Sequence, residues 1–236
     1  MRGVIVAGGA GLRMFRSGST VPKPLTPVLG QPLVAHVAEF LRRHGCSDVL
    51  VLLGHHAVEI IRALEALRDQ RPDLNLRWRA TGEDCGNAGR LLRVREVLSE
   101  GPFAMSWCDI YTDLDLSAMR CFHSRQNRLA TVAAVRPPPR FGRLEIDGER
   151  VVGFREKCRQ DEAWVNGGVF VLEPAALECV HDEHEAWEEG PLQRLLAASQ
   201  LSAYRHSGNW QAIDSLADCS AIESLVEPGD RSGSSA

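Results

Sequence analysis

The chain has 236 residues, 44% hydrophobic and 25% charged, with a formal net charge of −4, enough for one large globular domain with a buried core. No basic block or arginine–aromatic interleaving invites a nucleic acid, and no apolar run reaches the ~20 residues of a membrane span. Seven scattered cysteines without a Cys-x-x-Cys pair, and a first strand in place of a leader, predict a cytoplasmic protein and argue against a zinc site.

The apolar run Val4-Ile5-Val6-Ala7 ends in Gly8-Gly9-Ala10-Gly11-Leu12-Arg13, which reads as the first strand of an α/β sheet meeting a ligand loop. Glycines at 8, 9 and 11 let backbone N–H groups turn towards phosphate. Arg13 can grip phosphate oxygens in a fork, and Lys23, held between Pro22 and Pro24, adds a compact charge on a pre-organised loop. Two familiar phosphate loops do not fit. No Gly-Lys-Ser/Thr follows, and Met14 stands where a dinucleotide fingerprint needs its third glycine.

Periodicity predicts a helix over 33–44, a buried strand over 49–53, a helix over 57–68, an extended stretch over 74–80 and a helix over 88–99. A buried strand at 103–107 ends at Cys108-Asp109, a helix spans 115–127, and 129–135 is the next strand. The alternation predicts an α/β fold: a Rossmann-like, mostly parallel sheet flanked by helices. After Pro137-Pro138-Pro139, Leu144-Glu145-Ile146 and Val151-Val152-Gly153-Phe154 flank Asp147-Gly148, a hairpin signal. A strand from Asn166 to Leu172 and helices near 186–198 and 215–226 complete a single domain over 1–226. Within it, 1–136 carries the phosphate loop, 137–226 adds a small β-rich lid portion, and 227–236 reads as a disordered tail.

Ligands of open α/β sheets sit at the carboxyl ends of the strands, which singles out Asp109. Phosphate charge calls for a neutralising metal, and Mg2+ is held by one or two carboxylates plus phosphate oxygens; Asp214 is the second candidate. Either aspartate can equally cap the helix that follows it. Glu156, Lys157, Asn166 and Gly167 can bind a sugar and its phosphate, although Glu156-Lys157 also reads as a solvated pair.

The string from Gly8 to Leu33 resembles the signature of the sugar-1-phosphate nucleotidyltransferase family: Gly-Gly-x-Gly-Thr-Arg-Leu, Pro-Lys-Pro-Leu, then Pro-Val. It departs at Leu12 and Met14, where the family has threonine and leucine. Asp109, Glu156-Lys157, Asn166-Gly167-Gly168 and Asp214 match the rest of the pattern in order. Arg140–Leu144, Phe154–Lys157, Val165–Leu172, Trp187–Leu192 and His206–Gln211 look most like the glucose-1-phosphate cytidylyltransferase branch. Its base loop is matched by Thr81-Gly82 and Ala88-Gly89-Arg90-Leu91, with Arg90 readable also as a first-turn helix residue. The chain lacks the branch's insertion before Thr81, has Ala80 for aspartate, and sets Asp109 in Trp-Cys-Asp-Ile.

The resemblance implies Mg2+-dependent transfer of a nucleoside monophosphate from an NTP, CTP favoured, to a sugar 1-phosphate, glucose 1-phosphate favoured. Arg13 and Lys23 would be catalytic and Asp109 and Asp214 would hold the metal. Ala7, Gly8, Gly9, Gly11, Thr81, Gly89 and Arg90 would bind nucleotide, and Glu156, Lys157, Asn166 and Gly167 the sugar phosphate. No nucleic-acid or membrane partner is expected, and a homo-oligomer is compatible with the chain. A non-catalytic regulator on the same fold is the rival reading; a dehydrogenase is weaker, lacking the third glycine. His181-Asp182-Glu183-His184-Glu185 reads as a solvated acidic loop rather than a metal cluster, and Cys85 and Cys108 lack a partnering base.

Overall fold

The structure is a computed structural model describing residues 1–12, 14, 18, 21–137, 142–156 and 163–225. Arg13, Lys157 and the tail at 227–236 lie outside the described residues. A seven-stranded sheet forms the centre, in the order β12-β8-β11-β6-β1-β4-β5. These strands are β1 (Arg2–Ala7), β4 (Asp48–Leu53), β5 (Leu76–Ala80), β6 (Phe103–Trp107), β8 (Ala130–Val135), β11 (Val165–Leu172) and β12 (Leu201–His206). β1 pairs in parallel with β4 and β6, and β4 with β5; β11 alone runs antiparallel, between β6 and β8.

Both faces of this sheet are covered, which is why its strands read as unbroken apolar runs. Ile5, Ala7, Val49, Val51 and Leu53 point into one core with Val37, Leu41, Ile60 and Leu64, from helices α1 (Leu33–Arg43) and α2 (Ala57–Gln70). Val4, Val6, Leu50, Leu52 and Met105 point the other way, onto Leu91, Leu98, Leu177, Trp187 and Leu195. A third cluster, Met14, Val28, Leu33, Ile213, Cys219 and Ile222, fastens the last helix, α7 (Leu216–Leu225), to the segment after the glycine loop. Each fully buried aliphatic side chain in these clusters contributes roughly 1.5–3 kcal/mol.

The expected helix over 88–99 is broken into α3 (Asn87–Leu92) and α4 (Arg95–Leu98), with Val94 at φ −124°. The expected helix over 186–198 starts only at Pro191, as α6 (Pro191–Ala197), because residues 183–187 run along α3. There Gly86 N–H donates to the Glu183 carbonyl at 2.8 Å and Ala88 N–H to that of Glu185 at 3.2 Å. Five strands were not foreseen: β12, the short pair β7 (Ile110–Thr112) and β13 (Trp210–Ala212), and the two-residue pair β2 (Pro27–Val28) and β3 (Gln31–Pro32). β12 is an edge strand with Ala203 and Arg205 exposed, and three residues are too few for a periodic signal.

Of the lid portion, β11 and β12 belong to the central sheet. Outside it, β13 pairs with β7, and β9 (Arg143–Asp147) and β10 (Arg150–Arg155) form a two-stranded hairpin. No helix among the described residues is long and apolar enough to cross a membrane.

Candidate active site

Lys23 lies on a turn of 3₁₀-helix, Lys23–Leu25, preceded by Pro22. Its Nζ donates to Asp109 Oδ2 at 2.6 Å and to Asp214 Oδ1 at 2.7 Å. Only 13% of the Lys23 side chain is exposed. Burial pulls its ammonium down, but the charge of Asp109 and the hydrogen bonds to both carboxylates outweigh that and raise its pKa above the ordinary 10.5.

The aspartates come together through a two-stranded sheet with three residues in each strand. β7 follows Asp109 directly and pairs antiparallel with β13, Ile110 opposite Ala212. Ile213 N–H then donates to the Asp109 carbonyl at 2.9 Å. Ile213 is fully buried in the third core cluster, so Asp214 beside it is turned to the lysine. Neither aspartate is a helix cap. Asp115 caps α5 (Leu116–Gln126), accepting from Ala118 N–H at 2.9 Å. Asp218 accepts from Ser215 N–H at 2.9 Å and Ser215 Oγ at 2.8 Å, a capping box that starts α7.

The glycine loop leaves the carboxyl end of β1 beside this cluster. Ala7 is buried at the strand end, Gly9 is exposed with nothing within 4 Å of a Cβ, and Gly11 has φ +64°. At Gly8 a Cβ would overlap the guanidinium of Arg90.

Arg90 is 3% exposed and fully engaged by protein. It donates to the carbonyls of Leu53 (3.1 Å), Gly82 (2.7 Å) and Gly8 (3.0 Å) and to Thr81 Oγ1 (2.7 Å). The guanidinium ties the carboxyl ends of β1, β4 and β5 together. The Thr81 hydroxyl donates to Leu53 O at 2.7 Å. At Gly89, a Cβ would overlap the Glu183 carbonyl, so that glycine makes room for the crossing segment. Residues 181–184, read as a solvated loop, are exposed, and the segment is held by ion pairs of Glu185 with Arg194 and Glu183 with Arg93.

On the other side, Asn166 is exposed and its Oδ1 accepts from Gly168 N–H at 2.9 Å. Gly167 is buried, and its carbonyl accepts from Trp210 Nε1 at 2.8 Å, linking this edge to β13 and Asp214. Gly168, at φ +73°, has no room for a Cβ beside Trp107 and Ile110. Glu156 is exposed beyond β10 and is not hydrogen-bonded to the Lys23 cluster. A cavity of about 440 Å³ opens at the opposite end of the sheet, by Arg2, Asp48, Arg120 and His123, and holds none of these residues.

A glucose-1-phosphate cytidylyltransferase of Salmonella typhi is 32% identical over 97% of both chains. Among solved structures, HddC from Yersinia pseudotuberculosis complexed with GMP-PN has a TM-score of 0.71 at 22% identity, covering 95% of this chain and 99% of that one. The inositol-1-phosphate CTP transferase from T. maritima has a TM-score of 0.70 at 16% identity, covering 96% of each. The family model described as nucleotidyl transferase matches residues 2–221. With the sheet, the glycine loop and the lysine–aspartate cluster in place, the chain belongs to the nucleotidyl transferase family, among the sugar-1-phosphate nucleotidyltransferases.

Proposed function

We propose that this enzyme transfers a cytidylyl group from CTP to glucose 1-phosphate and releases pyrophosphate. The observation that carries the reading is the convergence of Lys23, Asp109 and Asp214 at the carboxyl ends of β1 and β6, next to the glycine loop. The choice of CTP and glucose 1-phosphate rests on the Salmonella relative's name and the matching strings of the second half.

A phosphate oxygen of the sugar phosphate attacks the α-phosphorus of the nucleotide in line; the new P–O bond forms as the bond to the β-phosphate oxygen breaks. Two anions must meet, so positioning and charge neutralisation supply most of the acceleration. Lys23 neutralises the α-phosphate and the incoming phosphate, and Arg13 grips the triphosphate tail. The loop of Gly8, Gly9 and Gly11 offers backbone to the phosphates, with Arg90 as a positioning residue beneath it. Glu156, Lys157, Asn166 and Gly167 receive the sugar phosphate.

Among the described residues no three of His, Cys, Asp and Glu gather as a metal cage, but two carboxylates plus substrate phosphates are a donor set that suits Mg2+. Asp109 and Asp214 would hold it, and it would supply further neutralisation of phosphate charge.

The test is pyrophosphate release with magnesium, across CTP, UTP, GTP, ATP and dTTP paired with a panel of sugar 1-phosphates. Release requiring both substrates and strongest with CTP and glucose 1-phosphate is expected. Another preferred pair overturns the specificity, and no release with any pair overturns the reaction.

A further inference from the structure

Around Trp164 the chain gathers two cations that the reaction described above does not use. Arg136 Cζ stands 4.6 Å from the centroid of the Trp164 ring, and Arg205 Cζ 5.7 Å from it. Among the described residues neither guanidinium has an ion-pair partner, and Arg136 Nε is buried without a hydrogen bond. The sequence reading had singled out none of the three.

The sheet register explains why they meet. Asn166 of β11 lies opposite Ala134 of β8, and Ala134 opposite Arg205 of β12. Alternation along a strand puts residues i and i+2 on one face. Arg136 and Trp164, each two positions from that row, therefore join Asn166 and Arg205 on the same face. Two guanidiniums on one indole repel each other. Attraction to the ring offsets this in part, and an oxyanion accepting from both would complete it.

The order of the sheet says which substrate would bring that anion. Arg90 and Thr81 mark the β4–β5 half, the Lys23 cluster sits at β1 and β6, and the Trp164 stack occupies the β11–β8–β12 half beside Asn166. We infer that Arg136 and Arg205, stacked on Trp164, bind the phosphate of the acceptor sugar 1-phosphate. This rests on the nucleotidyltransferase reading and adds residues to its acceptor side.

Two measurements test it, one without turnover. Inorganic phosphate, titrated against sodium chloride at matched ionic strength, is expected to change the tryptophan fluorescence. That change should vanish in Trp164→Phe and shift to higher phosphate by roughly tenfold to a hundredfold in Arg205→Ala, with Arg205→Lys between. Arg205 is exposed, so its variants test the site without disturbing a core. In the pyrophosphate assay, Arg205→Ala should raise the KM of the sugar phosphate by a similar factor and leave that of the nucleotide within about twofold. The inference fails if wild-type protein shows no phosphate response, or if Arg205→Ala leaves the acceptor KM unchanged or raises both KM values equally. A phosphate response lost in Trp164→Phe, in a protein that releases no pyrophosphate with any pair, would remove the reaction and leave the anion site standing.

Discussion

Lys23 sits between two carboxylates, and in the proposed reaction its charge acts at the α-phosphate. Replacing it by alanine removes one clamp from a largely dry site, worth about 3–4 kcal/mol, so turnover in the pyrophosphate assay should fall ~100–1000-fold. Because the folded pKa of Lys23 is raised, its ion pairs contribute fully below 10.5 and are lost only as pH climbs through the higher folded value. Thermal unfolding should therefore show no loss from this group at neutral pH, and a loss in strong alkali that is absent from Lys23→Met. Cys108, next to Asp109, is a thiol that burial pushes up to about 12. Iodoacetamide at neutral pH should label exposed Cys121 well before Cys108, as mass spectrometry of the peptides would report.

Among the elements, α3 and the segment crossing it decide the shape of the nucleotide side. Arg90 gathers three strand ends through four acceptors. Arg90→Ala leaves buried carbonyls without donors, at ~1–3 kcal/mol each. A loss of about 3 kcal/mol lowers Tm by roughly 6–12 °C in a chain of this size, measurable by calorimetry, with nucleotide binding lost in parallel. The crossing segment is latched by Glu185, whose carboxyl the Arg194 guanidinium depresses to about 2. Its contribution is present above the ordinary 4.5 and is lost as pH falls towards that depressed value. Hydrogen exchange at Gly86 and Ala88, whose amides this segment accepts, should accelerate over that acid range, and Glu185→Gln should remove the pH dependence.

For the whole molecule, the cluster of Lys23, Asp109 and Asp214 depends on the last helix staying docked. Ile213 is fully buried beside Asp214 and shares its core with Val28, Cys219 and Ile222. Ile213→Ala should cost about 2–5 kcal/mol of stability and, by loosening Asp214, lower turnover at unchanged nucleotide affinity. Unfolding curves and single-turnover kinetics would separate the two effects.

The amino-acid sequence by itself determined the central strands other than β12, the first helices, the glycine loop and the choice of Lys23, Asp109 and Asp214 as candidates. Apolar runs and turn residues are local, and charged side chains at strand ends are visible one at a time. The tertiary structure alone decided three things: the β7–β13 pairing that carries Asp214 to Asp109, the burial of Arg90 and Gly89 away from solvent, and the meeting of Arg136, Trp164 and Arg205. Each depends on contacts between residues far apart in the chain, set by strand register and by which side chain fills a neighbour's missing Cβ. No periodicity along the chain encodes that.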